Sequence, residues 1–362
     1  MTMATLADVA TIHGGGRLGL SGSDFVDSGV PAYGAAGRNG YVATAEYENR
    51  DAVILSSIGA RCGKCFFVRG RWTSLANTQV ILPDEAKADP RFLWFQLNDE
   101  RRWHRSGSAQ PFIKPSDVKA HRIFLPPLSE QRRIAAILDH ADELRAKRRQ
   151  VLARLDSLSQ SIFQSTIGAS RWPVEKLGER LDFLTSGSRG WAKYYVPSGA
   201  KFIRIQNVKN GYLNQDDMAY VNAPRTAEAK RTVVREGDVL LSITADLGRT
   251  AVVPDGIGEA YINQHLAILR APSLDPRYLA DFLASPAGRR EVIGKDRGAT
   301  KAGLNFDDVR SVAVPIPSRE IQRNYASRIA QVNTQRAAMQ RAIAADDELF
   351  ASLQARAFRG EL

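Results

Sequence analysis

Asp117-Val118-Lys119, followed by Gln131-Arg132, recurs as Asp308-Val309-Arg310 followed by Gln322-Arg323, 191 residues farther along the chain. From Gly107 and Gly298 onward this displacement holds without a gap, so one unit is written twice in 362 residues. Nearer the N-terminus the displacement is 171: Leu6-Ala7-Asp8 matches Leu177-Gly178-Glu179, and Arg38-Asn39-Gly40-Tyr41 matches Lys209-Asn210-Gly211-Tyr212. Between these limits Ser57-Ile58 and Gly63-Lys64 match Ser242-Ile243 and Gly248-Arg249, and Asp89-Pro90-Arg91-Phe92-Leu93 matches Asp275-Pro276-Arg277-Tyr278-Leu279. The growing displacement places insertions in the second copy.

Each copy opens with short β-type runs, Ala52–Ser56 and Val239–Ser242, among turn-forming Gly, Asn and Asp. A helix follows in both. Asp89 and Asp275 suit an N-cap, where a carboxylate accepts from the unpaired N–H groups of the first turn, and Pro90 and Pro276 suit the first helical position. Apolar residues recur behind them at Phe92, Leu93 and Leu97, and at Tyr278, Leu279, Phe282 and Leu283. Proline-rich exits, Leu125-Pro126-Pro127-Leu128 and Val314-Pro315-Ile316-Pro317, end both regions.

A long helix is predicted after each exit. Residues 129–166 contain no Pro or Gly, and Ile134, Leu138, Ala141, Arg145, Arg148, Leu152, Leu155, Ser159 and Ile162 form a heptad seam. The second seam runs through Tyr325, Ile329, Val332, Arg336, Met339, Ile343, Asp346, Phe350 and Leu353, with Arg145 and Arg336 at matching places. Packing the two helices on each other buries both stripes. About 37 helical residues at 1.5 Å each reach roughly 55 Å, enough to hold two domains apart. Gly168-Ala169-Ser170-Arg171-Trp172-Pro173 links the copies. The sequence therefore predicts an α+β protein with two mixed α/β domains, residues 1–127 and 169–317. Two long antiparallel, coiled-coil-like helices, within 128–168 and 318–362, separate them in a pseudo-twofold internal repeat.

Fifty Lys and Arg against 39 Asp and Glu give a net charge of +11 and a pI near 9.8, which suits a polyanionic partner and is shared by many other basic proteins. The hydrophobic share of 44% is ordinary for a globular chain. No apolar stretch approaches the ~18 residues of a membrane span and no secretory leader opens the chain, so no membrane partner and a cytoplasmic location are expected.

A DNA enzyme needs recognisable chemistry, and the motifs that approach it fail on context. Gly14-Gly15-Gly16-Arg17-Leu18-Gly19 has the letters of a dinucleotide fingerprint, but Leu20-Ser21-Gly22-Ser23 follows where a helix is required. Cys62 and Cys65 make half a zinc site, no second pair completes it, and the other copy has Leu247 and Thr250 there. They read as small residues near a strand end. Pro83-Asp84-Glu85-Ala86-Lys87 crowds its carboxylates into one turn, unlike a nuclease site. His13, His104, His121, His140 and His265 lack ligand spacing, and no phosphate loop or Asn-Pro-Pro-aromatic tetrapeptide occurs. No catalytic residue and no metal site are expected.

Leu125-Pro126-Pro127-Leu128-Ser129-Glu130-Gln131-Arg132-Arg133-Ile134, leading into Leu138-Asp139-His140-Ala141-Asp142-Glu143-Leu144-Arg145, resembles the conserved-region helix of type I restriction-modification specificity subunits. Ala357-Phe358-Arg359-Gly360-Glu361-Leu362 resembles their C-terminus, and the order head, helix, head, helix is that family's own. The second exit departs from the pattern, reading Pro317-Ser318-Arg319-Glu320-Ile321-Gln322. The resemblance implies two target recognition domains, each reading one part of a bipartite site in double-stranded DNA. It implies helices that act as spacer and as docking surface for two modification (methyltransferase) subunits, with Leu128, Gln131, Ile134, Leu138, Gln322, Tyr325 and Ile329 as candidates. It further implies restriction subunits in the full complex, no cofactor in this chain, and S-adenosylmethionine, ATP and Mg on the partners.

Phosphates attract cations and base edges suit Arg, Lys, Asn or Gln, so basic and amide side chains on expected loops are the DNA-binding candidates. These are Arg38, Asn39, Arg61, Lys64, Arg105 and Gln110 in the first head and Lys209, Asn210, Arg249, Arg297 and Lys301 in the second. Their matched places favour shared backbone contacts, whereas residues that read bases should differ between heads. An enzyme acting alone on DNA and a helical scaffold with incidental basic charge stay open as other readings.

Overall fold

The computed structural model describes residues 2–107, 109–168, 171–209, 211–295 and 303–362. These form two compact units, Met1–Val151 with Met339–Leu362, and Leu152–Ala338. Each unit is a head with part of both long helices, Leu128–Phe163 and Arg319–Ala357.

In the first unit, strands Ala10–Gly14, Thr78–Pro83, Ala52–Ser56 and Cys65–Val68 form an antiparallel sheet in that order. The central strand Ala52–Ser56 is buried throughout because its alternate residues enter two cores. Val53 and Leu55 pack with Phe92 and Leu93 of helix Pro90–Leu97, while Ala52 and Ile54 pack with Trp72 on the other face. A second sheet pairs Phe25–Val26, Gly37–Val42, Val30–Gly34 and Thr73–Ser74 in order, the last pair parallel. Met3–Thr5 and Arg122–Phe124 form a two-stranded ribbon beside the entry to the first long helix.

The second unit repeats both sheets. Phe183–Ser186, Leu266–Arg270, Val239–Ser242 and Thr250–Val252 form one, and Tyr195–Val196, Ala219–Val221, Ala200–Ile203 and Ala260–Ile262 form the other, again ending in a parallel pair. Hydrogen bonds recur with the expected displacements: Leu6 N donates to His121 O at 3.0 Å, and Leu177 N to Val312 O at 2.8 Å. Gly29 and Gly199 both have φ of 154°, and a Cβ would lie 2.7 Å from Val42 O in one and 2.8 Å from Val221 O in the other. That conformation and that space admit only glycine, which fixes the match of the two sheets.

Two details of the repeat differ from the sequence alignment. Gly29 with Gly199 and Val42 with Val221 make Gly37–Val42 the equivalent of Ala219–Val221, so Arg38 to Tyr41 does not correspond to Lys209 to Tyr212. The latter span instead holds an added hairpin, Val208–Lys209 with Tyr212–Leu213, whose Gly211 N donates to Thr250 O at 2.9 Å beside the edge strand. The shared Asn-Gly letters thus matched a strand position, Asn39-Gly40 within Gly37–Val42, to the hairpin that carries Gly211. Likewise Gly63 N donates to Ser56 O and Gly248 N to Ser242 O, so Ser242 answers Ser56, one residue before the serine that the sequence suggests.

Both expected N-caps form, Asp89 Oδ1 accepting from Arg91 N and Phe92 N, and Asp275 Oδ1 from Arg277 N and Tyr278 N. Every residue of the two heptad seams is buried or half-buried. Within the first unit Arg133 reaches Leu362 O at 2.7 Å and Arg145 reaches Asp347 at 2.6 Å, so the helices run antiparallel. Within the second unit Arg336 with Asp156 and Phe163 with Tyr325 give the same direction. The arginines in the seams are thereby explained: Arg145 also bonds Asp142 and lies 4.3 Å over the Phe350 ring, so its charge and its stem both find partners. The first helix ends in one wider π-type turn, Gln164–Gly168.

Candidate nucleic-acid interface

Helix residues fix each head before any surface is presented. Gln131 is fully buried; its Oε1 accepts from Asp89 N at 2.9 Å, and its Nε2 donates to Lys87 O and Pro126 O. Gln322 repeats the arrangement with Asp275 N at 2.7 Å and Pro317 O at 2.8 Å. Ile134 and Leu138 enter the first core, and Tyr325 and Ile329 the second. Tyr325 donates to Asp281 Oδ2 at 2.6 Å, and burial pushes the Asp281 carboxyl up against the pull of Arg277 and this hydroxyl. Leu128 is half-buried at the helix start. These residues hold helix to head inside their own unit, so all but Leu128 are turned away from an external partner.

In the first head, loops 57–64 and 105–113 are joined by Gly59 N to Pro111 O and Ile113 N to Ser57 O, both 2.9 Å. This brings together Arg61, Lys64, Arg105 and Gln110. Arg61 Nη1 donates to Ala36 O at 3.1 Å, tying that cluster to the turn before strand Gly37–Val42, which carries the exposed Arg38 and Asn39. Arg105 is held by Glu100, which cancels much of its charge. Arg38 and Lys64 have no ion pair among the described residues.

In the second head, Lys209 lies half-buried on the added hairpin, and Arg249 is neutralised by Asp246. Arg249 is the structural equivalent of Lys64, since Ser56 N donates to Lys64 O and Ser242 N to Arg249 O, each at 2.8 Å. Asn210, Arg297 and Lys301 lie outside the described residues.

The structure adds residues that sequence reasoning missed. Gly15 N donates to Thr78 O at 3.0 Å and Gly187 N to Leu266 O at 3.1 Å, so Arg17 and Arg189 occupy equivalent places; both are exposed and without an ion pair among the described residues. The spacing Gly15-Gly16-Arg17 against Gly187-Ser188-Arg189 was the available signal. Beside each arginine lies a concavity. In the first head it has a volume of about 580 Å³, lined by Gly16, Gly34, Ala36, Asn39 and Asn77 among others; in the second, about 390 Å³, lined by Gly190, Arg204, Gln206, Gln264 and His265 among others. Asn77 and His265 are equivalent, their carbonyls accepting from Ser57 N at 3.0 Å and Ile243 N at 2.9 Å. The place is shared and the lining chemistry is not.

The cysteines are core residues. Cys62 and Cys65 are buried and free, with Sγ donating to Ser57 O and Leu97 O at 3.4 Å, and burial pushes both thiols up. Gly15 would overlap Thr78 if it carried a Cβ, and a short turn, Gly22–Asp24, follows the glycine run. Among the described residues no group of His, Cys, Asp and Glu could hold a metal ion, and no helix is long and apolar enough to cross a membrane.

Residues 1–154 match the model of the type I restriction modification DNA specificity domain. Among similar proteins, the specificity subunit of the Escherichia coli type I restriction enzyme EcoBI is 25% identical over 279 residues, 66% of this chain and 58% of that subunit. The MjaVIII specificity subunit of Methanocaldococcus jannaschii is 23% identical over 79% of this chain and 73% of its own length. The EcoKI specificity subunit of Escherichia coli strain K12 is 26% identical over 69% and 60%. The chain therefore spans about three fifths of the two Escherichia coli subunits that it matches. The crystal structure of the type I system S subunit from M. genitalium superposes with a TM-score of 0.66 at 15% identity, covering 99% of this chain and 96% of that one. A chain from a study of complex assembly in a type I system superposes with a TM-score of 0.57 at 20% identity over 100% and 98%. The chain has the fold of the M. genitalium S subunit, its residues 1–154 match the type I restriction modification DNA specificity domain, and its sequence is similar to type I restriction enzyme specificity subunits.

Proposed function

We propose that this chain is the non-catalytic, DNA-reading specificity subunit of a type I restriction-modification complex. The carrying observation is that both heads have the same sheet order and place a concavity at the same point beside an unpaired arginine, Arg17 or Arg189, with different residues lining it. Unpaired cations suit phosphates common to every sequence, and unlike linings suit two unlike parts of one target. Residues 1–127 and 169–317 act as target recognition domains, and 128–168 and 318–362 as spacer and docking helices. Arg38 and Lys64 join Arg17 as phosphate contacts in the first head; Arg189 and the exposed Lys193 serve the second.

Two modification subunits dock on the outward helix faces, for which Leu144 and Val151, exposed and one heptad apart, are the apolar candidates. Restriction subunits join through them; S-adenosylmethionine, ATP and Mg belong to those partners, in the cytoplasm. Co-expression with a modification subunit tests this: a complex of one chain with two partners that enriches a split site from randomised duplex DNA is expected. Turnover of DNA by the isolated chain, or steady failure to bind duplex DNA, would overturn it.

A further inference from the structure

Arg204 and Gln206 both line the second head's concavity, and one exposed carboxylate holds both. Arg204 Nη2 donates to the Asp217 carbonyl at 2.8 Å and to its Oδ2 at 3.1 Å, while Gln206 Nε2 donates to the same Oδ2 at 3.1 Å. The backbone beneath is pinned by the buried Asn207, whose Oδ1 accepts from Arg204 N at 2.9 Å and whose Nδ2 donates to Asp217 O at 2.9 Å and Asn214 O at 3.3 Å. Arg204 Nη1 and Gln206 Oε1 have no partner among the described residues.

Asp217 cancels the charge of Arg204, so this arginine is a poor generic phosphate contact. What the clamp leaves is direction: a fixed donor next to a fixed acceptor. In the major groove the two N–H groups of Arg204 Nη1 suit guanine's two acceptors, N7 and O6, and Gln206 Oε1 suits the N4 donor of its cytosine, whereas adenine offers a single acceptor, N7, beside its N6 donor. The first head has Gly34 where Arg204 stands, because Tyr33 O accepts from Leu75 N as Ile203 O does from Asn263 N. We propose that the Asp217-held pair Arg204 and Gln206 is the base-reading element of the second head and selects a G·C pair, with Asp217 as its positioning residue. This rests on the DNA-reading function proposed above.

The test uses the full chain co-expressed with its modification subunits and a randomised duplex pool, sequenced after selection. Wild type should enrich a split site whose second part contains an invariant G·C pair. Arg204→Ala and Gln206→Ala should each lose roughly tenfold discrimination at that one position and keep the first part of the site, which also shows that the complex is folded. Asp217→Asn should relax the same position while binding unrelated DNA several-fold more tightly, with a salt slope steeper by about one, since Arg204 is released to phosphate. A merely structural Asp217 would weaken all sequences alike, and that result overturns its positioning role. Full discrimination at every position in Arg204→Ala, or a second part without a G·C pair, overturns the inference while leaving DNA reading intact. Failure of wild type to enrich any split site overturns both.

Discussion

Gln131 and Gln322, near the start of each long helix, each join that helix to its own head through backbone hydrogen bonds. An amide at a helix start reads as surface chemistry unless the three-dimensional neighbours are known; here those are orphan backbone groups of another helix's first turn and of the exit loop. Replacing Gln131 with Ala strands one N–H and two carbonyls in a buried site. A loss of about 3 kcal/mol in denaturant unfolding of the first unit is expected, and a loss within 0.5 kcal/mol would show that water replaces the amide. His121 carries a second residue-scale prediction. It stacks on Trp103 at 4.3 Å, and burial, aided by Arg102, lowers its pKa from 6.5 to about 4. The folded state refuses a proton that the unfolded state takes, so stability is present above pH 6.5 and is lost as pH falls toward about 4. His121→Gln should flatten the pH dependence of the unfolding midpoint across that window; an unchanged slope would assign the loss to other groups.

At the scale of elements, most of the fold was readable because its signals are local and were written twice. The caps at Asp89 and Asp275, the proline exits and the helix seams each rest on a few neighbouring residues. What escaped was pairing between distant strands. Gly37–Val42 and the added hairpin carry similar turn letters, and only register with Val30–Gly34 and Ala200–Ile203 separates them. The concavities escaped for the same reason, since residues 16, 34 and 77 of the first, like 190, 204 and 265 of the second, meet only after the sheets assemble. Charges in the helix seams were visible but not their partners. Asp347 takes Arg145 at 2.6 Å and Arg149 at 2.8 Å, and the side-chain hydrogen bond from Arg145 holds its carboxyl below the usual range. Because the pair is partly solvated, Asp347→Asn should cost only about 1 kcal/mol, and less at high salt. A cost that does not change between low and high salt would place packing, not charge, at this contact.

For the molecule as a whole, the net charge of +11 points to a polyanion without placing it, because many of the described cations are held by neighbouring carboxylates. More useful are the cations without an ion pair on the candidate surfaces, among them Arg17, Arg38 and Lys64 on the first head and Arg189 and Lys193 on the second. Each phosphate that such a cation neutralises releases condensed counterions, so log K falls with log salt by about 0.9 per contact. Replacing the first set with Ala should therefore reduce the salt slope of duplex binding by about 3, replacing the second by about 2, and replacing both by about the sum. Removal of these cations should leave the recognised sequence unchanged, since phosphates carry no base identity. Titrations of the wild-type and substituted complexes against one duplex at several salt concentrations measure this. Slopes unchanged by the first set would remove that face from the interface, and an altered target sequence would make those cations readers of bases instead of holders of the backbone.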